Sequence, residues 1–123
     1  MSNEIIYKVT RVKIEEEVGV GVEEVIETPD GPKVVFIASY YFGKASRREV
    51  FHAYVRKLID RHAKDERITI KIADPNLLNK QKWLSDYDER ITFKILSSKR
   101  YLSCLLLAID AINRKNTIEE ELI

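Results

Sequence analysis

The alternation of apolar and polar residues predicts several β-strands in the first third of the chain. Residues 4–14 are rich in Ile, Val and Tyr with polar residues between them, which is typical of a half-buried strand. Residues 18–22 alternate valine with glycine, and residues 33–42 are so apolar that they predict a covered strand. Residues 28–32 contain the turn sequence Pro-Asp-Gly, so the second and third strands are expected to form a hairpin.

The residues after the third strand have the hydrophobic periodicity of a helix. Ser46 and Glu49 have the spacing of a capping box, in which the serine oxygen accepts the amide of the third helical residue. Apolar residues then recur at intervals of three and four, which predicts a helix over residues 47–64. Residues 67–73 indicate a buried strand, and Asp74 before a proline is a favourable start for a second helix.

The last third of the chain adds one strand and one helix. Residues 91–96 predict a strand, and residues 99–114 predict a helix that is apolar on nearly all sides. Such a surface needs more than one neighbour, and a homodimer joined through this helix and residues 40–42 would provide a second one. The order β-β-β-α-β-α-β-α predicts one α/β domain over residues 1–123, with a five-stranded mixed sheet.

The composition is that of a globular protein, with 45% hydrophobic and 33% charged residues. We expect a cytoplasmic location, because no apolar run is long enough for a membrane span and no signal-peptide pattern opens the chain. Cys104 is the single cysteine and lies in an apolar run, so a packing role is expected. The abundance of Lys, Arg and Glu beside one Gln resembles thermophile proteins.

The distribution of charge is more informative than the net charge of +1. Residues 1–32 hold three basic and eight acidic groups, whereas residues 33–115 hold eighteen basic and nine acidic groups. A basic region of this kind can attract a polyanion, because Lys and Arg near phosphates release condensed counterions. A solvated helix surface would have the same composition. The candidate phosphate contacts are Lys44, Arg47, Arg48, Arg56, Lys57, Lys80, Lys82, Lys99 and Arg100.

Aromatic residues lie close to several of these cations in the sequence. Tyr40 and Tyr41 precede Lys44 and Arg47, so their rings are candidates for stacking on bases, as in single-strand binders. Burial in a core is the alternative for the same residues. Neither a nucleophile-and-base set, nor a phosphate-binding glycine loop, nor zinc-ligand spacing occurs in the sequence.

The element order and four segments together resemble the ribonuclease H-like superfamily, of the ribonuclease HI type. The segments are Val-Gly-Val-Gly-Val at 18–22, Pro-Asp-Gly at 29–31, Ser-Arg-Arg-Glu at 46–49 and Ile-Thr-Ile-Lys-Ile-Ala-Asp at 68–74. The resemblance implies a metal site for phosphodiester cleavage. Four acids would hold two Mg²⁺ ions, which activate water and stabilise the leaving oxygen.

The carboxylate set that the resemblance implies is incomplete in this chain. Glu49 matches the acid of the first long helix, and Asp74 matches the acid that follows the fourth strand. The first strand has Lys-Val-Thr-Arg where the family has its aspartate, so Thr10 or a neighbour takes that position. The start of the last helix offers no acid, and Glu4, Glu23 or Glu24 would have to substitute.

Three hypotheses follow. The first is a non-catalytic domain that binds nucleic acid or a nucleoprotein partner through the basic region and needs no cofactor. The second is a Mg²⁺-dependent nuclease with a rearranged site that uses Glu49, Asp74 and a third acid. The third is a homodimeric interaction module. Glu49 and Asp74 are the candidate catalytic and metal-binding residues. Each also has an alternative structural role as a helix-capping residue.

Overall fold

The structure, a computed structural model, describes residues 4–74, 76, 81–96 and 102–122. In these residues the strands are β1 (Ile5–Ile14), β2 (Glu17–Thr28), β3 (Gly31–Gly43), β4 (Ile68–Ile72), β5 (Ile91–Ile95) and β6 (Ile118–Glu121). The helices are α1 (Arg47–Ile59), α2 (Gln81–Leu84) and α3 (Leu102–Arg114). The strands form one sheet in the order β5-β4-β1-β2-β3-β6. The predicted mixed α/β architecture is therefore confirmed.

Tight turns join the first three strands into an antiparallel meander. Glu15 and Glu16 form the first turn with φ angles of 50° and 73°, and β1 then pairs with β2 from Ile14 opposite Glu17. In the second turn the Asp30 amide donates to Thr28 Oγ1 at 3.2 Å. This second turn is the hairpin that the Pro-Asp-Gly sequence predicts.

Strand β6 is an addition to the five strands that the sequence predicts. It pairs antiparallel with β3, from Phe36 opposite Glu121 to Ser39 opposite Ile118. The Tyr40 hydroxyl also donates to Glu119 Oε2 at 2.9 Å. The sequence Ile-Glu-Glu-Glu has little strand character of its own. Its conformation depends on pairing with a strand about eighty residues earlier.

Helix α1 begins as predicted and ends earlier than predicted. The Ser46 side chain accepts a hydrogen bond from the Glu49 amide at 3.1 Å, which confirms the N-cap. The helix stops at Ile59 instead of residue 64, because the chain tightens into a turn in which the His62 amide donates to the Ile59 carbonyl. This turn places the imidazole of His62 against Tyr7 of β1.

Helix α3 lies on the opposite face of the sheet from α1 and approaches β2 very closely. The carboxylate of Glu23 accepts a hydrogen bond from Ser103 of α3, whereas the next residue, Glu24, faces the end of α1. An ideal Cβ added to Gly21 would lie 1.8 Å from the carbonyl oxygen of Cys104. Glycine is therefore required here because the helix backbone occupies the space of a side chain.

A buried polar network lies beneath the end of α1. Glu24 is 7% exposed and accepts hydrogen bonds from the Tyr7 hydroxyl at 2.5 Å and from Arg61 at 3.3 Å. Arg61 also donates to Glu121 of β6 at 2.7 Å. Burial by itself would raise the pKa of Glu24, but hydrogen bonds from His62 and Tyr7 and the charges of His62 and Arg61 lower it below its usual value. The network connects β1, β2, β6 and α1.

Part of the predicted second helix lies outside the described residues. Residues 81–84 of it are helical as α2, whereas Lys80 belongs to the undescribed part. Within the described residues, none of the helices combines the length and apolarity that a membrane span requires.

We predict that Gly21→Ala destabilises the fold strongly, because the added methyl group would overlap the backbone of α3. Overpacking typically costs about 1–3 kcal/mol, and we expect this substitution to lie at or above the upper end of that range. Gly43→Ala is the matched control. Its Cβ would meet its nearest atom at 3.7 Å, so its cost is limited to the positive φ of 61°, or about 1–2 kcal/mol. Equal losses in urea unfolding would contradict the close-packing interpretation.

We predict that Glu24→Gln lowers the free energy of unfolding near neutral pH by about 1.5–3 kcal/mol, the usual value of hydrogen bonds to a charged group. A carboxyl whose pKa is lowered by folding stabilises the folded state above its usual pKa of 4.5, and this contribution disappears as the pH falls through the lower folded value. The difference between wild type and variant should therefore shrink in urea titrations below pH 4.5. Glu27→Gln, on the exposed end of β2, is the control and should match wild type at every pH.

Candidate functional site

A small cavity opens between the end of β1, the first turns of α1 and the end of β4. It has a volume of about 100 Å³. Four parts of the chain contribute the side chains that line it: Arg11, Arg47, Phe51, Tyr54, Ile72, Ala73, Asp74 and Trp83. We call this cavity the arginine pocket.

Backbone pairing between parallel strands brings the two sides of the pocket together. Val9 of β1 is opposite Ile72 of β4, and the Ala73 amide donates to the Val9 carbonyl at 2.9 Å. The residues that follow on each strand, Arg11 and Asp74, therefore reach the same cavity. Because successive side chains of a strand point to opposite faces of the sheet, Arg11 lies on the face of β1 that borders the cavity.

Both carboxylate oxygens of Asp74 have partners within the chain. Arg47, the first residue of α1, donates from Nη2 to Oδ2 of Asp74. The backbone amide of Asn76 donates to Oδ1 at 3.0 Å. Asp74 therefore closes the turn after β4 and links that turn to the start of α1.

Arg11 has no carboxylate partner of its own among the described residues. It is partly buried and makes no ion pair with any residue in the described ranges. Burial, followed by the positive charge of Arg47, lowers the pKa of Arg11, and the more weakly acting Asp74 opposes this change. Two guanidinium groups thus face one carboxylate, and the pocket has excess positive charge.

Two polar groups on residues that line the pocket lack hydrogen-bond partners among the described residues. The Nε atom of Arg47 is buried and bonds to none of the residues that the structure describes. Tyr54 is 3% exposed, and its hydroxyl likewise makes no hydrogen bond within the described part of the chain. Burial, and then the charge of Asp74, raise the pKa of Tyr54, so its hydroxyl remains a proton donor.

An aromatic cluster separates the arginine pocket from a second, shallow groove. The ring of Phe51 lies 5.6 Å from that of Trp83 and 5.2 Å from that of His52, measured between centroids. The Tyr87 hydroxyl lies 2.6 Å from Nδ1 of His52. The groove beyond this cluster is lined by Ser46, Arg48, Glu49, His52, Arg56 and Asp86.

The residues of the pocket do not fit the pair of Mg²⁺ ions that the ribonuclease H resemblance implies. Glu49 lies in the separate groove, where its carboxylate accepts a hydrogen bond from the Ser46 hydroxyl at 3.0 Å. Asp74 is already paired with Arg47. Among the described residues, no group of three His, Cys, Asp or Glu side chains could hold a metal ion. A two-metal site needs clustered carboxylates, whereas Glu49 and Asp74 line different cavities.

The other candidate metal ligands also lie away from the pocket. Thr10 is buried on the opposite face of β1 from Arg11, so the neighbour, and not Thr10 itself, reaches the cavity. Glu4 accepts a hydrogen bond from the side chain of Thr69 at 3.1 Å. Glu23 bonds to α3 and Glu24 to the buried network.

The exposed cations of the predicted nucleic-acid surface lie mainly on α1 and near it. Arg48, Arg56 and Lys57 are exposed along the helix, Lys44 is exposed shortly before it, and Lys82 is exposed on α2. The predicted contacts Lys80, Lys99 and Arg100 lie outside the described residues. Arg47 is partly exposed and enters the arginine pocket.

The structure corrects the prediction that Tyr40 stacks on bases. Tyr40 is 0% exposed, and its ring is part of the hydrophobic core because its side chain points to the inner face of β3. Tyr41 points the other way and is partly exposed, with its hydroxyl donating to Glu17 at 2.5 Å. Stacking by Tyr41 stays a prediction. The burial of Tyr40 also removes it from the predicted dimer interface.

Arg11 and Tyr54 are the site residues that the sequence analysis did not identify. For Arg11, strand alternation was a usable signal, since it occupies the same face as the buried Tyr7 and Val9. Tyr54 was indistinguishable from other core residues of the helix stripe. Only the structure shows that Tyr54 also lines a cavity.

The arrangement of strands and helices is similar to that of solved ribonucleases H. LC11-RNase H1, isolated from compost by a metagenomic approach, superposes with a TM-score of 0.65 at 14% identity, over 92% of this chain and 98% of that chain. RNase H1 from the halophilic archaeon Halobacterium salinarum NRC-1 gives a TM-score of 0.61 at 12% identity, over 90% and 98%. The chain has a ribonuclease H fold.

A third similar structure contains a nucleic acid. LC11-RNase H1 in complex with an RNA/DNA hybrid superposes with a TM-score of 0.62 at 14% identity, over 90% of this chain and 98% of that chain. No protein-family model and no curated protein matches the sequence. The likeness at these identities concerns the fold, and the chemistry must be argued from the residues of this chain.

We predict that millimolar Mg²⁺ leaves the melting temperature of the wild type unchanged relative to NaCl of equal ionic strength. The reason is that the one carboxylate in the pocket is paired with Arg47. Differential scanning fluorimetry of wild type and Asp74→Asn provides the measurement. A saturable Mg²⁺-dependent rise in wild type that Asp74→Asn removes would contradict this prediction.

Proposed function

We propose that this chain is a ribonuclease H-fold domain that binds nucleic acid through the basic surface of α1 and does not cleave it. One observation carries the proposal: the exposed cations Arg48, Arg56 and Lys57 lie on the same helix that contributes Arg47 to the arginine pocket. The similarity in fold to an enzyme solved with an RNA/DNA hybrid supports the choice of ligand.

The spacing of the α1 cations suits contacts with a phosphate backbone. Arg48 and Arg56 are eight residues apart, which corresponds to about 12 Å along a helix, and both line the same groove. Their charge is partly balanced by Glu49 and Asp86, but Glu49 bonds to Ser46, and Asp86 lies 3.7 Å from His52. Contacts of this kind position a strand without reading its bases, so we expect little sequence preference.

The absence of cleavage is proposed because the pocket contains arginines where a two-metal nuclease needs acids. A metal-dependent nuclease would have to break the Arg47–Asp74 ion pair and recruit carboxylates from other faces of the sheet. Both steps are unfavourable, since breaking an ion pair leaves a charged group without its partner. This argument favours a binding domain over the nuclease alternative.

Self-association through α3 remains compatible with the proposed function. Leu102 and Leu106 are 65% and 60% exposed, and they lie four residues apart on one side of the helix. A homodimer or a nucleoprotein partner would cover these residues on the sheet face opposite α1. Neither partner would block the basic surface.

We predict that the double variant Arg48→Gln/Arg56→Gln weakens binding of labelled single-stranded DNA, duplex DNA, RNA and RNA/DNA hybrid. Each lost phosphate contact should reduce the slope of log K against log salt by about 0.9 for a duplex, so the two substitutions should reduce it by about two. Fluorescence anisotropy at several salt concentrations measures both the affinity and the slope.

Arg114→Gln is the matched control, because Arg114 is exposed on α3 and pairs only with Asp110 within the described residues. It should leave the affinity and the slope close to those of the wild type. Failure of the wild type to bind any of the four ligands at low salt would overturn the proposal. Strands cut in the presence of Mg²⁺, seen on a gel, would overturn its non-catalytic part.

A further inference from the structure

The charge balance of the arginine pocket is incomplete without a ligand. Asp74 has both oxygens engaged, by Arg47 and by the Asn76 amide, so it has little capacity left for Arg11. Partly buried arginines are normally paired, because removing a cation from water without a partner is costly. The pocket therefore favours an anion beside Arg11.

The hydrogen-bonding groups that line the cavity are donors in need of an acceptor. Arg11 lines the cavity and has no carboxylate partner among the described residues, and Tyr54 lines it with a hydroxyl that is unpaired within the same residues. Arg47 adds a second guanidinium charge to the cavity. One guanidinium group on β1, a second at the start of α1 and a hydroxyl two turns further along α1 therefore belong to residues that line one cavity. Its volume of about 100 Å³ is well above the roughly 10–15 Å³ that one water molecule needs.

A tetrahedral oxyanion suits these donors better than a carboxylate does. The Arg11 guanidinium can donate two parallel hydrogen bonds to one ligand, and the Tyr54 hydroxyl, on a different element, can donate a third. A carboxylate has only two oxygens in one plane, whereas a phosphate group has three or four oxygens in different directions. We propose that the arginine pocket binds a phosphate group, with the Arg11 guanidinium and the Tyr54 hydroxyl as its ligands and the charge of Arg47 beside them.

This inference goes beyond the proposed binding to nucleic acid, because it applies equally to a free phosphate and to a phosphate at the end of a strand. Phe51 and Trp83 line the same cavity and leave an apolar wall beside the anion. Such a wall suits the base or sugar of a nucleotide. The shared chemistry is the phosphate group, and the experiment below separates its sources.

The test uses inorganic phosphate, adenosine monophosphate and a DNA oligonucleotide with or without a 5′-phosphate. We expect phosphate to raise the melting temperature of the wild type in a saturable way, compared with NaCl of the same ionic strength. Arg11→Gln should weaken the affinity measured by calorimetry by about tenfold or more, because it removes a charge-assisted contact. Tyr54→Phe should weaken it by a smaller factor, about fivefold or less.

Two further variants keep the test interpretable if Arg11→Gln alters folding. Arg11→Lys retains the charge and loses the paired donors, so its affinity should lie between those of wild type and Arg11→Gln. Arg114→Gln removes a distant cation and should bind phosphate as the wild type does. Circular dichroism melting in phosphate-free buffer checks that each variant is folded.

Each outcome supports or overturns the inference. Saturable binding of inorganic phosphate that Arg11→Gln weakens supports a site for the free ion. Binding of the 5′-phosphorylated strand in preference to the unphosphorylated one, lost in Arg11→Gln, supports a site for strand ends. The inference is overturned if neither inorganic phosphate nor the 5′-phosphate of the strand has an effect on the protein. It is also overturned if the effect of phosphate equals that of NaCl, or if Arg11→Gln shows the same effect as the wild type. If phosphate binds and Arg48→Gln/Arg56→Gln has no effect on nucleic-acid affinity, the proposed function fails while this inference stands.

Discussion

The parallel pairing of β4 with β1 is the contact on which the candidate site depends. It places Asp74, two residues after the end of β4, in the same cavity as Arg11 and the first residue of α1, Arg47. The pairing consists of backbone hydrogen bonds, which place few demands on the identity of the side chains at the strand ends. A sheet of this kind can therefore keep its geometry whether the side chains at these strand ends are acidic or basic. The fold forms the cavity, and the side chains that line it determine which ligand it attracts.

Arg47 is the residue that most changes the chemistry expected of this fold. A single arginine at the first position of α1 neutralises Asp74 and fastens the helix to the turn after β4. The same guanidinium leaves its buried Nε unpaired. A carboxylate with a permanent cation beside it is a poor metal ligand, whereas two guanidinium groups around one cavity attract an anion. The structural role of Asp74 and the positive charge of the pocket are thus two consequences of one ion pair.

The two faces of the sheet are stabilised in different ways. On the α3 side, contact depends on the lack of side chains at Gly19 and Gly21, which lets the helix backbone approach β2. On the α1 side, an apolar core surrounds a buried polar network in which Glu24 and Arg61 are partners. Arg61 also lies 3.4 Å from the centroid of the Phe36 ring and bonds to β6. The last strand therefore depends on the same arginine as the end of α1.

Local sequence patterns determined most of the elements of this protein. The valine–glycine alternation, the Pro-Asp-Gly turn and the Ser46 cap each specify a backbone conformation within a few residues, and the predicted strands and helix start are present. Strand β6 and the burial of Tyr40 were decided by tertiary contacts, as was the meeting of Arg11, Arg47 and Asp74. Secondary-structure propensity and hydrophobic periodicity depend on residues that are neighbours in the sequence. The charge balance of the pocket depends instead on groups that are distant in sequence and close only after folding.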